Sequence, residues 1–165
     1  SLKTKKYFIF FRLMKKRLLI VYHTQSGNTG RMAQAVLRGA QSIEETEAVL
    51  KLTADATLDD LLTCHGLLIG TPENFGYMAG MVKDFFDRTY YPGEGKMTGV
   101  PYAIFVSAGN DGTNAVSQIE RIATGYGWKK VNEAVIARDG VSEADLAKCE
   151  ELGATLAAGI GFGIF

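Results

Sequence analysis

The sequence predicts an α/β fold, in which a doubly wound sheet of five parallel strands forms the middle of three layers. Short segments that are almost continuously apolar recur along the chain, as expected of strands that are buried on both faces of a sheet. Segments with apolar residues at helical spacing lie between them. This alternation is typical of βαβ units with right-handed crossovers, which place helices on both faces of the sheet.

Five segments are predicted to be strands. The first, third and fourth read LLIVY, GLLIG and YAIFV, and are therefore expected in the middle of the sheet. The second alternates only weakly, and the fifth is expected to be less deeply buried. In chain order the predicted strands are Leu18–Tyr22, Glu47–Leu52, Gly66–Gly70, Tyr102–Val106 and Val131–Ala137.

The intervening segments show the spacing of amphipathic helices. The helix before the fourth strand has an apolar stripe and two oppositely charged pairs spaced four residues apart. The last helix opens at Ser142, with Asp145 three residues later in a capping-box arrangement. The other predicted helices are Asn28–Ala40, Leu58–Leu62, Gly80–Tyr90 and Asn114–Tyr126.

Length and composition limit the class of protein. A chain of 165 residues with 47% apolar residues is long enough for one domain with a sizeable core. Basic residues are not clustered as a nucleic-acid-binding face requires, and no apolar run is long enough for a membrane span. The two cysteines and two histidines have no metal-like spacing, so no metal site is expected, and a reduced, cytoplasmic protein is predicted.

Both ends of the chain require separate interpretation. Residues 1–13 carry four basic and no acidic residues, which leaves 14 basic and 18 acidic residues, a net charge of −4, for the rest. They are predicted to be a leader or tag remnant outside a single domain of residues 14–165. The alternative is an added edge strand or a dimer contact, because YFIFF has high β propensity. The apolar tail Gly159–Phe165 indicates either a homodimer contact or a docked chain end.

Ligands of such folds bind beyond the carboxyl ends of the strands, where the strand order reverses. This rule selects three loops, at residues 23–29, 71–79 and 107–113. The first contains three hydroxyl side chains and Gly27 at the start of a predicted helix, whose free N–H groups suit a phosphate. It contains no Lys or Arg, as fits a retained cofactor. Ordinary N-capping by Ser26 or Asn28 is the competing interpretation.

Three loops, in this order, resemble those of the flavodoxin family. The sequence TQSGNT, from Thr24 to Thr29, resembles the phosphate loop with which that family binds flavin mononucleotide (FMN). Gly70–Arg88 resembles the corresponding segment of flavodoxin-like NAD(P)H-dependent oxidoreductases, and Ser107–Gly112 resembles their third flavin loop. The resemblance covers roughly residues 15–160. It implies the flavodoxin-like strand order 2-1-3-4-5, FMN as cofactor and NAD(P)H as co-substrate.

The resemblance also implies which residues hold the FMN. Phe75 and Tyr77 are expected to contact the isoalloxazine ring, although both could instead pack beneath their loop. The third loop is expected to direct N–H groups at the pyrimidine end of the ring, where reduced flavin carries negative charge; a plain glycine turn is the alternative. The candidate FMN-binding residues are Thr24, Gln25, Ser26, Gly27, Asn28, Thr29, Pro72, Glu73, Asn74, Phe75, Gly76, Tyr77, Ser107, Ala108, Gly109, Asn110 and Gly112.

Three functions are compatible with this resemblance. The first is an NAD(P)H-dependent oxidoreductase that reduces quinones, flavins or similar acceptors, with no catalytic side chain because the flavin carries the chemistry. The second is a flavodoxin-type electron carrier with a protein redox partner, which the modest charge of −4 disfavours because such carriers are strongly acidic. The third is a flavodoxin-like binding module without flavin. The sequence favours the enzyme but shows no separate nicotinamide motif.

Overall fold

A computed structural model describes the backbone of residues 1–165 and the side chains of residues 1–7, 9 and 15–165. It contains six helices and seven strands over that backbone. In chain order the elements are α1 (Leu2–Met14), β1 (Lys16–Tyr22), α2 (Asn28–Gln41), β2 (Thr46–Leu52), α3 (Leu58–Thr63), β3 (Gly66–Asn74), β4 (Tyr77–Met78), α4 (Gly80–Gly93), β5 (Pro101–Ala108), α5 (Thr113–Tyr126), β6 (Lys129–Lys130), β7 (Val135–Arg138) and α6 (Glu143–Gly161).

The central sheet confirms the predicted fold class. Its parallel strands follow the order β2-β1-β3-β5, and β6 and β7 both pair in parallel with the outer side of β5. With β5 as the fourth predicted strand, this is the order 2-1-3-4-5. Leu19 lies between Val49 of β2 and Leu67 of β3, so the strands that were predicted to be central are central.

The fifth predicted strand, Val131–Ala137, is broken in the structure. Along β5 the pairing advances three residues from Tyr102 to Phe105, whereas the partner chain advances five, from Lys130 to Val135. Two extra residues therefore loop out between β6 and β7, and positions 131–134 contain no strand. The prediction of one continuous strand was wrong because this mismatch in register depends on β5 rather than on local sequence.

β3 is longer than predicted and ends in a hairpin. It continues past Gly70 to Asn74, which pairs with Tyr77 of the antiparallel strand β4. The two residues between them, Phe75 and Gly76, both have positive φ, at 51° and 69°, as in the tight turns that match the twist of a hairpin. This turn fixes the conformation of the second candidate loop.

The amino-terminal segment is helical, so the alternative of an added edge strand at residues 7–11 was wrong. Ser1 caps α1 by accepting a hydrogen bond from the N–H of Thr4 at 3.3 Å. The side chains of Leu2, Tyr7 and Ile9 are exposed. The other apolar side chains of this segment lie outside the described residues. That residues 1–13 are dispensable for the fold therefore stays a prediction.

The apolar core lies on both faces of the sheet. On β1, Leu19 and Val21 face the layer of α3, α4 and α5, while Leu18 and Ile20 face α2 and α6. All four side chains are fully buried. Because β1, β3 and β5 are parallel neighbours in the sheet, the loops at their carboxyl ends lie side by side. Within the described part of the chain, no helix has the length and apolarity needed to cross a bilayer.

Two glycines bring α2 and α6 into backbone contact. A Cβ atom on Gly39 would overlap the carbonyl oxygen of Glu150, and one on Gly153 would overlap the carbonyl oxygen of Val36. Only glycine permits this approach, since backbone atoms cannot move aside as the end of a flexible side chain can. The contact sets the spacing between α2 and α6 at the level of Val36 and Gly39.

We predict that Gly39→Ala destabilises the protein by about 1–3 kcal/mol, as overpacking of a close contact does. For a chain of this length that corresponds to a fall in Tm of roughly 3–10 °C, measured by thermal unfolding. Gly80→Ala is the matched control, because a Cβ at Gly80 meets nothing within 4 Å. Equal melting temperatures for the two variants would show that α2 and α6 are not held this closely.

Candidate functional site

A cleft opens at the carboxyl ends of the central strands, with a cavity volume of about 320 Å³. This volume falls at the lower end of the range for small-molecule sites. Residues from all three loops selected by the sequence line it, together with a fourth loop between β7 and α6. The lining residues are Gln25, Ser26, Asn28, Pro72, Glu73, Asn74, Ser107, Ala108, Gly109, Asp139 and Gly140.

The loop between β1 and α2 presents uncharged hydrogen-bond donors to the cleft. Gly27 is the N-cap of α2, with φ 98°, and as a glycine it has no side chain with which to cap the helix. Capping by Ser26 or Asn28, the competing interpretation of this loop, is therefore not what the structure shows. Among the described residues, the N–H groups of residues 26–29 have no hydrogen-bond acceptor. Free N–H groups at a helix start form an anion-binding site.

Two of the three hydroxyl groups in this loop have structural partners. Thr24 accepts a hydrogen bond from the N–H of Gly30 at 3.1 Å. The Thr29 hydroxyl is buried and lies 2.8 Å from the hydroxyl of Ser107. Neither threonine lines the cleft, in contrast to Ser26. Thr24 and Thr29 thus shape the loop and join it to β5, and Ser26 supplies the hydroxyl that faces the cleft.

Hydrogen bonds of Thr71 and Asn74 hold the second loop in place. Thr71, fully buried within β3, accepts a hydrogen bond from the N–H of Ala79 at 2.9 Å and donates one to the carbonyl oxygen of Pro72 at 2.9 Å. The amide of Asn74 donates to Oε1 of Gln25 at 2.6 Å. The bond between Asn74 and Gln25 connects the second loop to the first across the cleft.

Glu73 joins the second loop to the third. Its carboxylate accepts hydrogen bonds from the N–H of Gly112 at 2.6 Å and from the N–H of Asn110 at 3.3 Å. The sequence predicted that N–H groups of this loop face the flavin, but these two N–H groups have Glu73 as their partner. Asn110 and Gly112 accordingly do not line the cleft, whereas Ser107, Ala108 and Gly109 do.

The tip of the second loop lies outside the cleft. Phe75 is fully exposed at the hairpin turn, and Tyr77 lines a different groove, between α4 and α5. Among the residues described, no aromatic side chain lines the cleft. Phe75, Gly76 and Tyr77 are not part of this lining, and their expected contact with a flavin stays a prediction.

The fourth loop was missed at the level of sequence. Asp139 has φ 56°, and its N–H donates to the carbonyl oxygen of Ala108 at 2.9 Å. Gly140 follows with φ 94°. The rule that selected the other loops also applies here, since Asp-Gly follows the last strand and is typical of a turn. Glu73 and Asp139 thus place two carboxylates in the lining, and no described Lys, Arg or His is part of it.

Neither cysteine contributes to the cleft. Cys64 and Cys149 are both buried, and burial raises the pKa of each thiol to about 12. Thiolates are therefore scarce at neutral pH, and a cysteine nucleophile does not fit this site.

Comparisons with known proteins identify the family. The sequence profile of the NADPH-dependent FMN reductase family matches residues 40–142. This chain belongs to that family. It is 34% identical over 157 residues to a flavodoxin of Aquifex aeolicus, a match that covers 86% of this chain and 85% of the flavodoxin. The family is one of FMN-binding, flavodoxin-like redox proteins.

Two further proteins are similar to this member of the FMN reductase family. An NAD(P)H dehydrogenase (quinone) of Acidithiobacillus ferrooxidans is 33% identical over 112 residues, covering 55% of this chain and 56% of the relative. The chain thus matches little more than half of that dehydrogenase. A solved flavodoxin from the domain Archaea superposes with a TM-score of 0.75 at 23% identity, covering 87% of this chain and 98% of the flavodoxin. This likeness shows the shared fold.

The donor set of the cleft fits FMN at its phosphate end. The free N–H groups at the start of α2 and the Ser26 hydroxyl are donors for an anion, and close approach to Gly27 is open because a Cβ there would meet nothing within 4 Å. A phosphate bound there satisfies donors that otherwise have no partner in the described chain. The first loop is accordingly our candidate for the FMN phosphate site.

We predict that Ser26→Ala weakens FMN binding about tenfold or more, since a hydrogen bond to a charged group contributes about 1.5–3 kcal/mol. Riboflavin, which lacks the phosphate, should lose little affinity. Titration with both flavins, followed by quenching of flavin fluorescence, measures the two effects. Ser117→Ala on the exposed face of α5 is the control. An equal loss for FMN and riboflavin would contradict the placement of the phosphate.

Proposed function

We propose that this protein is an NAD(P)H-dependent oxidoreductase that holds FMN in the cleft and reduces quinones, free flavins or similar small acceptors. The observation that carries this proposal is the composition of the cleft: no aromatic side chain among the described residues is part of its lining. An enzyme that takes hydride from a nicotinamide must leave one face of its flavin accessible. The family match and the quinone-reducing relatives support the same proposal.

In this proposal the residues of the chain bind and orient. The N–H groups of residues 26–29 and the Ser26 hydroxyl hold the phosphate. Gln25 and Asn74, joined at 2.6 Å, form a bridge between two walls of the cleft. Glu73 keeps the third loop in position through its two N–H partners. FMN, when bound, supplies hydride and electron transfer, so no side chain needs to form a covalent bond with substrate.

The carboxylates have separate roles in this arrangement. Glu73 is neutralised in part by the two N–H dipoles it accepts, whereas Asp139 is exposed and has no cation among the cleft-lining residues. A negative side chain at the rim disfavours additional negative charge on a bound group.

An electron carrier is the second candidate, and one observation favours it. The Aquifex flavodoxin matches this chain over 86% of its length, whereas the quinone-reducing dehydrogenase matches over 55%. A carrier would receive electrons from a partner protein rather than from a nicotinamide. The two candidates therefore differ in whether NAD(P)H alone reduces the flavin.

Anaerobic mixing of the FMN-loaded protein with excess NADPH or NADH distinguishes them. For the enzyme we expect the flavin absorbance to bleach without any partner protein. Turnover with a soluble quinone should then give parallel-line, ping-pong kinetics, because both substrates use the same open face in turn. Flavin that stays oxidised for hours would overturn the oxidoreductase proposal, and the electron carrier would be the remaining candidate. If the protein binds no FMN at all, a flavodoxin-like binding module without flavin is the remaining candidate.

A further inference from the structure

A second pocket lies beside the cleft, on the side of α2 that faces the start of α6. Its cavity volume is about 400 Å³, large enough for a nucleoside phosphate. Arg31 and Arg38 of α2 line it, and we call it the arginine pocket. Tyr22, at the end of β1, and Leu146 add an aromatic and an apolar wall.

The arginine pocket and the cleft share the first loop as a common wall. Ser26 and Asn28 line the cleft, whereas Gly27 and Gly30 line the arginine pocket. Neighbouring residues of one loop therefore face two different cavities. A ligand that occupied both would pass directly over the loop that we propose for the FMN phosphate.

The two arginines stand on one face of α2. Arg31, Gln34 and Arg38 are spaced three and four residues apart, which places them in one row along the helix. Their side chains are exposed, and all three line the pocket. The two arginines are about two helical turns apart, and long guanidinium side chains on one wall of a pocket are donors suited to a phosphate group.

Most donors of these arginines are free to bind a ligand. Arg31 donates from Nη1 to the carbonyl oxygen of Val141 at 3.3 Å, and Arg38 donates from Nε to Glu150 at 3.0 Å. A guanidinium has five N–H donors, so each side chain commits one of them within the described chain. The pair of Arg38 and Glu150 is half-exposed on both sides. Such pairs contribute little to stability, so a phosphate can replace Glu150 as the partner.

We propose that the arginine pocket binds the adenosine end of NADPH, with Arg31 and Arg38 on its 2′-phosphate. This inference rests on the proposed function, because it assigns the nicotinamide nucleotide a place beside the flavin cleft. NADPH differs from NADH by that phosphate alone. The cleft itself offers the phosphate two carboxylates and no described cation, whereas the adjoining pocket offers two guanidinium groups. Tyr22 provides the ring against which an adenine can stack.

The preference for NADPH over NADH is the first test, made with the FMN-loaded protein. The double variant Arg31→Ala/Arg38→Ala should raise KM for NADPH at least tenfold, leave kcat nearly unchanged and leave KM for NADH unaffected. Arg121→Ala, which removes an exposed arginine of α5, is the control for net charge. A double variant that keeps the ratio of the two KM values would overturn the inference.

Direct binding of adenosine 2′,5′-bisphosphate is the second test, and it does not depend on turnover. Calorimetry should show that the wild-type protein binds this fragment more tightly than adenosine 5′-monophosphate, that added salt weakens the binding, and that the double variant loses it. Absence of binding, or equal binding by the double variant, would overturn the pocket assignment. A double variant that instead loses affinity for FMN would also overturn the pocket assignment.

The two tests separate failure of the pocket from failure of the proposed function. If neither nucleotide reduces the flavin of the wild-type protein, the oxidoreductase proposal fails, and the calorimetric test alone decides the pocket assignment. If both nucleotides reduce it equally well and the arginine variants change nothing, the oxidoreductase stands and only the pocket assignment is lost.

Discussion

The backbone contact between α2 and α6 is the constraint on which the rest of the site depends. Gly39 and Gly153 allow the two helices to approach until each lacks room for a Cβ against the other's carbonyl oxygen. Apolar side chains on both helices, among them Val36 and Leu156, are fully buried around this contact. α2 therefore packs closely against α6. Its first turn offers the free N–H groups, and a phosphate site needs such donors at fixed positions.

Connections between loops complete the site above this support. Thr29 and Ser107 join the first loop to β5 through buried hydroxyl groups, and Gln25 is joined to the second loop through Asn74. Glu73 then ties the second loop to the third. Loops that are linked in this way lose little conformational entropy when a ligand binds, because they are already ordered. The cleft is thus pre-organised although loops form most of its lining.

The sequence predicts most of the fold because its signals are local. β1, β3 and β5 were found because parallel central strands are apolar on both faces, and α2 because its apolar stripe is regular. The break between β6 and β7 could not be found, since it depends on how two extra residues fit against Tyr102 and Phe105. β4 was missed because a strand of two residues, Tyr77–Met78, has no pattern of its own.

The candidate site was predicted by position and less well by side-chain role. Nine of the seventeen candidate residues line the cleft, because the rule for carboxyl ends of parallel strands depends only on topology. The exposure of Phe75 could not be predicted, since this residue occupies a hairpin-turn position with positive φ where asparagine or glycine is usual. The partner of Asn110 and Gly112 could not be predicted either, since Glu73 is 37 and 39 residues away in sequence.

The distribution of charge gives the two proposed phosphate sites different properties. Uncharged N–H groups and a hydroxyl hold an anion through fixed dipoles at short range, so added salt affects them little. Exposed guanidinium groups attract an anion over a longer distance and are screened by salt at about a Debye length, roughly 8 Å in physiological conditions. The first kind of site suits a cofactor that stays bound, and the second suits a nucleotide that must arrive and leave in each turnover. Gly27 lies between the cleft and the arginine pocket, so one short loop would separate a retained phosphate from an exchanging one.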